Sequence, residues 1–179
     1  DPYLSRGLGD VYKRQYYNNK LGDDKDYCIY TDTDSVFYSA IPLVKKRYPD
    51  ADISDDKFMT EQILDIASEV QEYINKSYMY FAKKFLNIGE DHRFDIKQEV
   101  IAKSAFWVTK KRYGQWIIND GGVKCDKLDV KCLDIVRSNY SPAFREIMTN
   151  VLKGILNNTD KEIIDKQIID FKKNMKVYP

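Results

Sequence analysis

Tyr27-Cys28-Ile29-Tyr30-Thr31-Asp32-Thr33-Asp34-Ser35-Val36-Phe37-Tyr38-Ser39 holds two runs of β-branched and aromatic residues separated by a short polar link. Two strand-like runs across so tight a joint predict a β-hairpin. Asp32 and Asp34 stand two residues apart, so in an extended segment their side chains leave the same face. Carboxylates held that close repel one another unless a cation or a proton intervenes. Mg²⁺ suits such a pair, because it takes one or two carboxylates and completes its shell with water and phosphate oxygens. Taken without its neighbours, D-x-D is more often an exposed turn, since Asp and Thr are common turn formers.

Downstream, Pro42 and Pro49, then Asp50, Asp52, Asp55 and Asp56, mark a loop. Its last acids sit where carboxylates favour a helix N-terminus. From Lys57 to Leu86 the pattern is helical, with Ile63, Ile66, Val70, Ile74, Ser77, Phe81 and Phe85 on one stripe. The aromatic members of that stripe are expected in the core. Lys83 and Lys84 near its end complement the helix dipole. After Asn87-Ile88-Gly89, an extended strand is expected with Phe94, Ile96, Gln98 and Val100 on one side and Asp95, Lys97, Glu99 and Ile101 on the other. Ala105–Val108 and Tyr113–Ile118 read as further strands, and Asn119-Asp120-Gly121-Gly122 as a turn able to supply positive φ. Leu128–Arg137 reads as extended toward its end. Ser141-Pro142 opens a helix, and Thr159-Asp160 caps a final one. Residues 1–15 show no period and read as an unrelated or mis-joined leader, with regular structure expected from about Asp26. The layout predicts an α+β fold: an antiparallel sheet with packed helices, followed by a helical segment.

Charge and composition narrow the function classes. In 179 residues, Lys+Arg 29 against Asp+Glu 28 leaves a net charge of +1, which excludes a histone-like polycation but not a basic patch. Charged content of 32% and the lack of any apolar run near the ~20 residues of a bilayer span predict no membrane partner. The opening residues 1–6 lack the pattern of a secretory leader, so a cytoplasmic location is expected. Cys28, Cys125 and Cys132 form no CxxC pair, and His92 is the single histidine, which argues against a zinc site and for a reducing compartment.

Lys110-Lys111-Arg112-Tyr113-Gly114 follows a strand of buried character. Alternation would point Lys110 and Arg112 one way, Lys111 and Tyr113 the other. Such a ribbon can bring cations to phosphates with a ring nearby to pack on a sugar or base. An isolated cluster of three cations is more often a solvated strand end.

In context, Tyr30-Thr31-Asp32-Thr33-Asp34-Ser35 followed by Val36-Phe37-Tyr38 resembles the motif C hairpin of family B DNA polymerases, whose usual form is Tyr-Gly-Asp-Thr-Asp-Ser; Thr31 replaces the Gly. Lys110-Lys111-Arg112-Tyr113 resembles the family's element that contacts the primer-template duplex. Glu99 resembles the acidic residue of the palm strand before that element, with a salt bridge to a neighbouring Lys as an equally good structural reading. Lys131-Cys132-Leu133-Asp134-Ile135-Val136-Arg137-Ser138 resembles the Lys-Gly-Leu-Glu-like strand leading to the thumb, with Cys132 where Gly is usual. The likeness covers about Tyr27 to Lys153.

The resemblance implies template-directed DNA synthesis: a primer 3′-hydroxyl attacks the α-phosphate of a dNTP with two Mg²⁺ ions in place. It implies Asp34 as the first metal ligand and Asp32 as its acidic neighbour, with Glu99 as a weaker third acid. Lys110, Lys111, Arg112 and Tyr113 would hold primer-template DNA, and a processivity factor would be a further partner of a longer parent. It also implies a division into a leader over 1–26, non-native or partial, a palm segment over 27–138 and the start of a helical thumb over 139–179. An Asp-x-x-Ser-Leu-Tyr-Pro-like strand and a Lys-x-x-x-Asn-Ser-x-Tyr-Gly-like helix, both needed for synthesis, do not occur in the sequence. We therefore expect a fragment that is inert alone, from a replicative polymerase of viral type; the host-cell cytoplasm would then be its location. Two alternatives use the same residues: a non-catalytic DNA-binding module, indifferent to Mg²⁺, and a glycosyltransferase of D-x-D type.

Overall fold

The computed structural model describes residues 8–32, 35–89 and 91–175, which divide between Glu99 and Val100 into two compact units. Both are mixed: each carries an antiparallel sheet and packed helices, so the α+β expectation holds.

The first unit opens with helix α1 (Leu8–Leu21), then strands β1 (Cys28–Asp32) and β2 (Ser35–Tyr38), helix α2 (Ile41–Arg47) and the long helix α3 (Asp56–Phe81). Helix α1 overturns the expectation that regular structure begins near Asp26. Its buried face is built from tyrosines and an ion pair rather than aliphatic residues, which leaves no apolar period to read. Tyr16 and Tyr17 are buried, and each phenol finds an acceptor: Tyr16 Oη donates to Glu69 Oε2 at 2.6 Å and Tyr17 Oη to the Ser39 carbonyl at 2.9 Å. Helix α2 was not expected either. Pro42 lies in its first turn, where a missing N–H breaks no helical bond, and Leu43 and Val44 enter the core. Lys46 Nζ reaches back to the carbonyls of Lys20 and Leu21 at 2.6 and 3.2 Å, capping α1 with a cation.

Asp55 caps α3 as its position suggests, accepting from the amides of Lys57 and Phe58 at 2.9 and 3.1 Å. Ile66, Val70 and Ile74 of the expected stripe are buried with Met59. The stripe then loses phase. Ala82–Leu86 forms a π-helical turn closed by Asn87 in the left-handed region (φ 53°), and Phe85 stands exposed rather than in the core. The expected strand at 94–99 is an extended but unladdered segment. Its backbone bonds go to side chains of α3 instead: Asn75 exchanges bonds with Ile96 (2.9 and 3.1 Å), and Gln71 Oε1 accepts from Gln98 N at 2.9 Å. Side-chain amides one turn apart thus do the work of a neighbouring strand.

The second unit is a three-stranded meander, β3 (Val100–Thr109), β4 (Arg112–Asp120) and β5 (Val123–Lys131), then a 3₁₀ turn (Asp134–Val136) and helices α4 (Pro142–Leu156) and α5 (Lys161–Met175). Gly121 and Gly122 take φ of 57° and 86°, the signs of a type I′ hairpin turn, and Asn119 Oδ1 accepts from Gly122 N at 3.0 Å. The 3₁₀ turn replaces the extended run expected through Arg137, after Cys132 turns the chain at φ 51°. Ser141 caps α4 as expected, its Oγ accepting from Phe144 N at 3.2 Å. Leu152 and Leu156 of α4 pack with Leu133, Ile135, Trp116, Leu128 and Val130 to form the core. Among the described residues, no helix is long and apolar enough to cross a membrane.

Candidate functional site

The hairpin expected around the acidic pair is present. β1 and β2 pair antiparallel, with Thr31 opposite Val36 and Asp32 opposite Ser35. Asp34, the first candidate metal ligand, lies with Thr33 outside the described residues. Asp32 ends β1 half-buried, and its carbonyl accepts from Ser35 Oγ at 3.0 Å. The two strands are anchored by rings: Tyr17 of α1 lies 5.5 Å from both Tyr27 and Tyr38, and Tyr30 lies 5.9 Å from Phe37 across the ladder. Burial pushes the Tyr38 phenol up to about 12, so it packs as a neutral ring. Glu99, the weaker third acid, is exposed at the end of the first unit.

At the opposite end of β1 lies the one group of potential metal ligands among the described residues, Asp10, Asp26 and Cys28, whose donor atoms fall within 4.8 Å of one another. Four residues of strand put Cys28 about 13 Å from Asp32. The donor set does not fit Mg²⁺, which wants hard oxygens in an octahedron. Burial is the main cause that raises the Cys28 thiol to about 11, so it is protonated at neutral pH. The counter-charge is already supplied by Lys13, whose buried Nζ lies 3.2 Å from Asp10 Oδ1 and 3.7 Å from Asp26 Oδ1.

The basic element falls in the second unit, and its geometry differs from simple alternation. Thr109 pairs with Arg112, so Lys110 and Lys111 form the two-residue turn between β3 and β4, both exposed at its tip. Lys111 sits in the left-handed region at φ 66°, which an L side chain adopts with strain. Arg112 is drawn into the fold: Nη2 lies 2.9 Å from Asp134 Oδ2 and Nε donates to the Cys132 carbonyl at 3.1 Å. Tyr113 faces Trp107 across the strands, rings 5.9 Å apart. The sequence places Trp107 only within a strand: a regular two-residue turn would set Val108 opposite Tyr113, and the register shift between Trp107 and Thr109 sets Trp107 there instead. Gly114 is buried beneath Leu152 of α4. The five-residue element thus splits into an exposed cationic tip, one structural arginine, a ring pair and a packing glycine.

The chain matches no model of a known protein family, and no curated protein matches it.

Proposed function

We propose that the chain is the later part of a family B DNA polymerase palm with the beginning of its thumb. The observation that carries this reading is the Tyr-Thr-Asp-Thr-Asp-Ser sequence on an antiparallel strand pair in which Asp32 stands opposite Ser35. Asp34, with Asp32 beside it, would hold Mg²⁺ through hard oxygens. Bound there, Mg²⁺ would neutralise triphosphate charge and favour ionisation of the attacking 3′-hydroxyl. Lys110 and Lys111, both exposed at their turn, support phosphate contact, and the Trp107–Tyr113 ring pair lies on the two strands that the turn joins. Substrates on this reading are primer-template DNA and a dNTP.

The test has two arms. The 179-residue chain should bind primer-template duplex with a steep salt dependence and extend no primer with Mg²⁺ and dNTPs. Joined to a polypeptide carrying the missing aspartate strand and triphosphate-binding helix, it should extend primers, and Asp34→Ala should cut the rate by orders of magnitude with duplex affinity largely kept. Full turnover in Asp34→Ala would remove this residue from the metal site and leave the non-catalytic DNA-binding reading in its place.

A further inference from the structure

The end of α3 presents three side chains that the hairpin reading does not use. Tyr80 and Phe85 are 58% and 63% exposed, unusual for rings of that size. The Lys84 ammonium lies 5.2 Å from the Tyr80 centroid and 5.4 Å from that of Phe85, so one cation is flanked by two open aromatic faces. Tyr80 stands four residues before Lys84, the spacing that puts helix side chains on one face, and Phe85 adjoins Lys84 within the π-helical turn Ala82–Leu86. Phe85 does not float: Phe81 packs against it at 5.3 Å, and Phe94 backs Phe81 at 6.4 Å. Lys83 and Lys84 are the cations of the turn itself, whereas Lys76, earlier on α3, is paired with Glu72 at 2.5 Å, and Glu90 and Asp91 follow Gly89 in the sequence.

We propose that Tyr80, Lys84 and Phe85 form a stacking platform for single-stranded nucleic acid. Each ring takes one base face, and Lys84, with Lys83 beside it, meets the phosphate between them. Base–aromatic stacking next to a cation is the usual way such strands are held without sequence preference. Duplex DNA keeps its bases stacked inside, so it cannot use these rings. The inference rests on the α3 terminus alone and is independent of the hairpin.

The test is anisotropy of a labelled (dT)₁₂ titrated with the full chain, alongside a labelled duplex. Tyr80→Ala and Phe85→Ala should each weaken (dT)₁₂ binding about tenfold and leave duplex binding unchanged. Phe85→Leu, which keeps apolar bulk on Phe81, should lose the same affinity and so separate stacking from folding. Lys84→Ala should lower the salt slope by about 0.7. The reverse pattern belongs to the turn: a Lys110/Lys111 variant should weaken duplex and spare (dT)₁₂. No binding of (dT)₁₂, or binding indifferent to both rings, would overturn the platform, as would a patch that binds anionic phosphatidylserine vesicles in place of the oligonucleotide.

Discussion

Arg112 and Asp134 form an ion pair, Nη2 to Oδ2 at 2.9 Å, and the same guanidinium donates through Nε to the Cys132 carbonyl at 3.1 Å. One side chain thereby ties the start of β4 to the 3₁₀ turn that carries the chain toward α4. Arg112→Ala should lower stability by about 1 kcal/mol, a modest figure because the pair is partly exposed. Arg112→Lys should recover little of it, since an ammonium cannot reproduce the two-pronged contact. The denaturation midpoint is the readout; an unchanged midpoint in Arg112→Ala would show the pair to be screened out.

Phosphate contact is better examined at Lys111, where binding and folding should change with opposite signs. Its φ of 66° strains any residue with a β-carbon. Lys111→Gly should therefore raise stability by about 0.5–1 kcal/mol while weakening duplex binding and reducing its salt slope by about 0.9. A fall in both quantities would mean that the turn is held by the lysine side chain itself.

Gly114 leaves no room for a larger residue. A Cβ there would lie 2.8 Å from Leu152 Cδ2 and 3.3 Å from Cδ1, and Leu152 is buried in the core of the second unit. Gly114→Ala should cost about 1–3 kcal/mol through overpacking. Combined with Leu152→Ala, the loss should be less than the sum of the two single losses. Strict additivity in that thermal or chemical unfolding cycle would break the link between them.

Glu69 carries a pH signature. The Tyr16 hydroxyl bonding to its carboxylate, helped by Arg47 at 2.6 Å, holds its pKa below the usual 4.5. A depressed carboxylate contributes stability that is present above the unfolded value and is lost as pH falls through the folded one. Unfolding followed below pH 4.5 should thus show an acid limb that Glu69→Gln flattens. Its side chain is 39% exposed, so the loss at pH 7 should stay under about 1 kcal/mol. An identical acid limb in the variant would locate the titration elsewhere.

Several elements were legible because their signals are local. The hairpin runs at 27–39, the Gly121-Gly122 turn, the Asp55 and Ser141 caps and the stripe from Ile66 to Ile74 each follow from residues within one or two turns of chain. Others failed for identifiable reasons. Helix α1 hides its period behind Tyr16, Tyr17 and the Lys13–Asp10 pair. The segment at 94–99 alternates like a strand, yet its partners are Asn75 and Gln71, some twenty residues or more away. Phe85 continues the helical count only if the helix stays α, and the π turn shifts it into solvent.

The sequence by itself determined the pairing of the two strands over 28–38, the Gly121-Gly122 turn and the Asp55 and Ser141 caps, because backbone preferences and short-range hydrogen bonds act between near neighbours. Only the tertiary structure decided that Lys110 and Lys111 make a turn while Arg112 serves the fold, that Leu152 closes over Gly114, and that Phe85 faces water beside Tyr80. Those outcomes depend on which distant groups compete for the same space and the same polar atoms, and that competition exists only once the chain has packed.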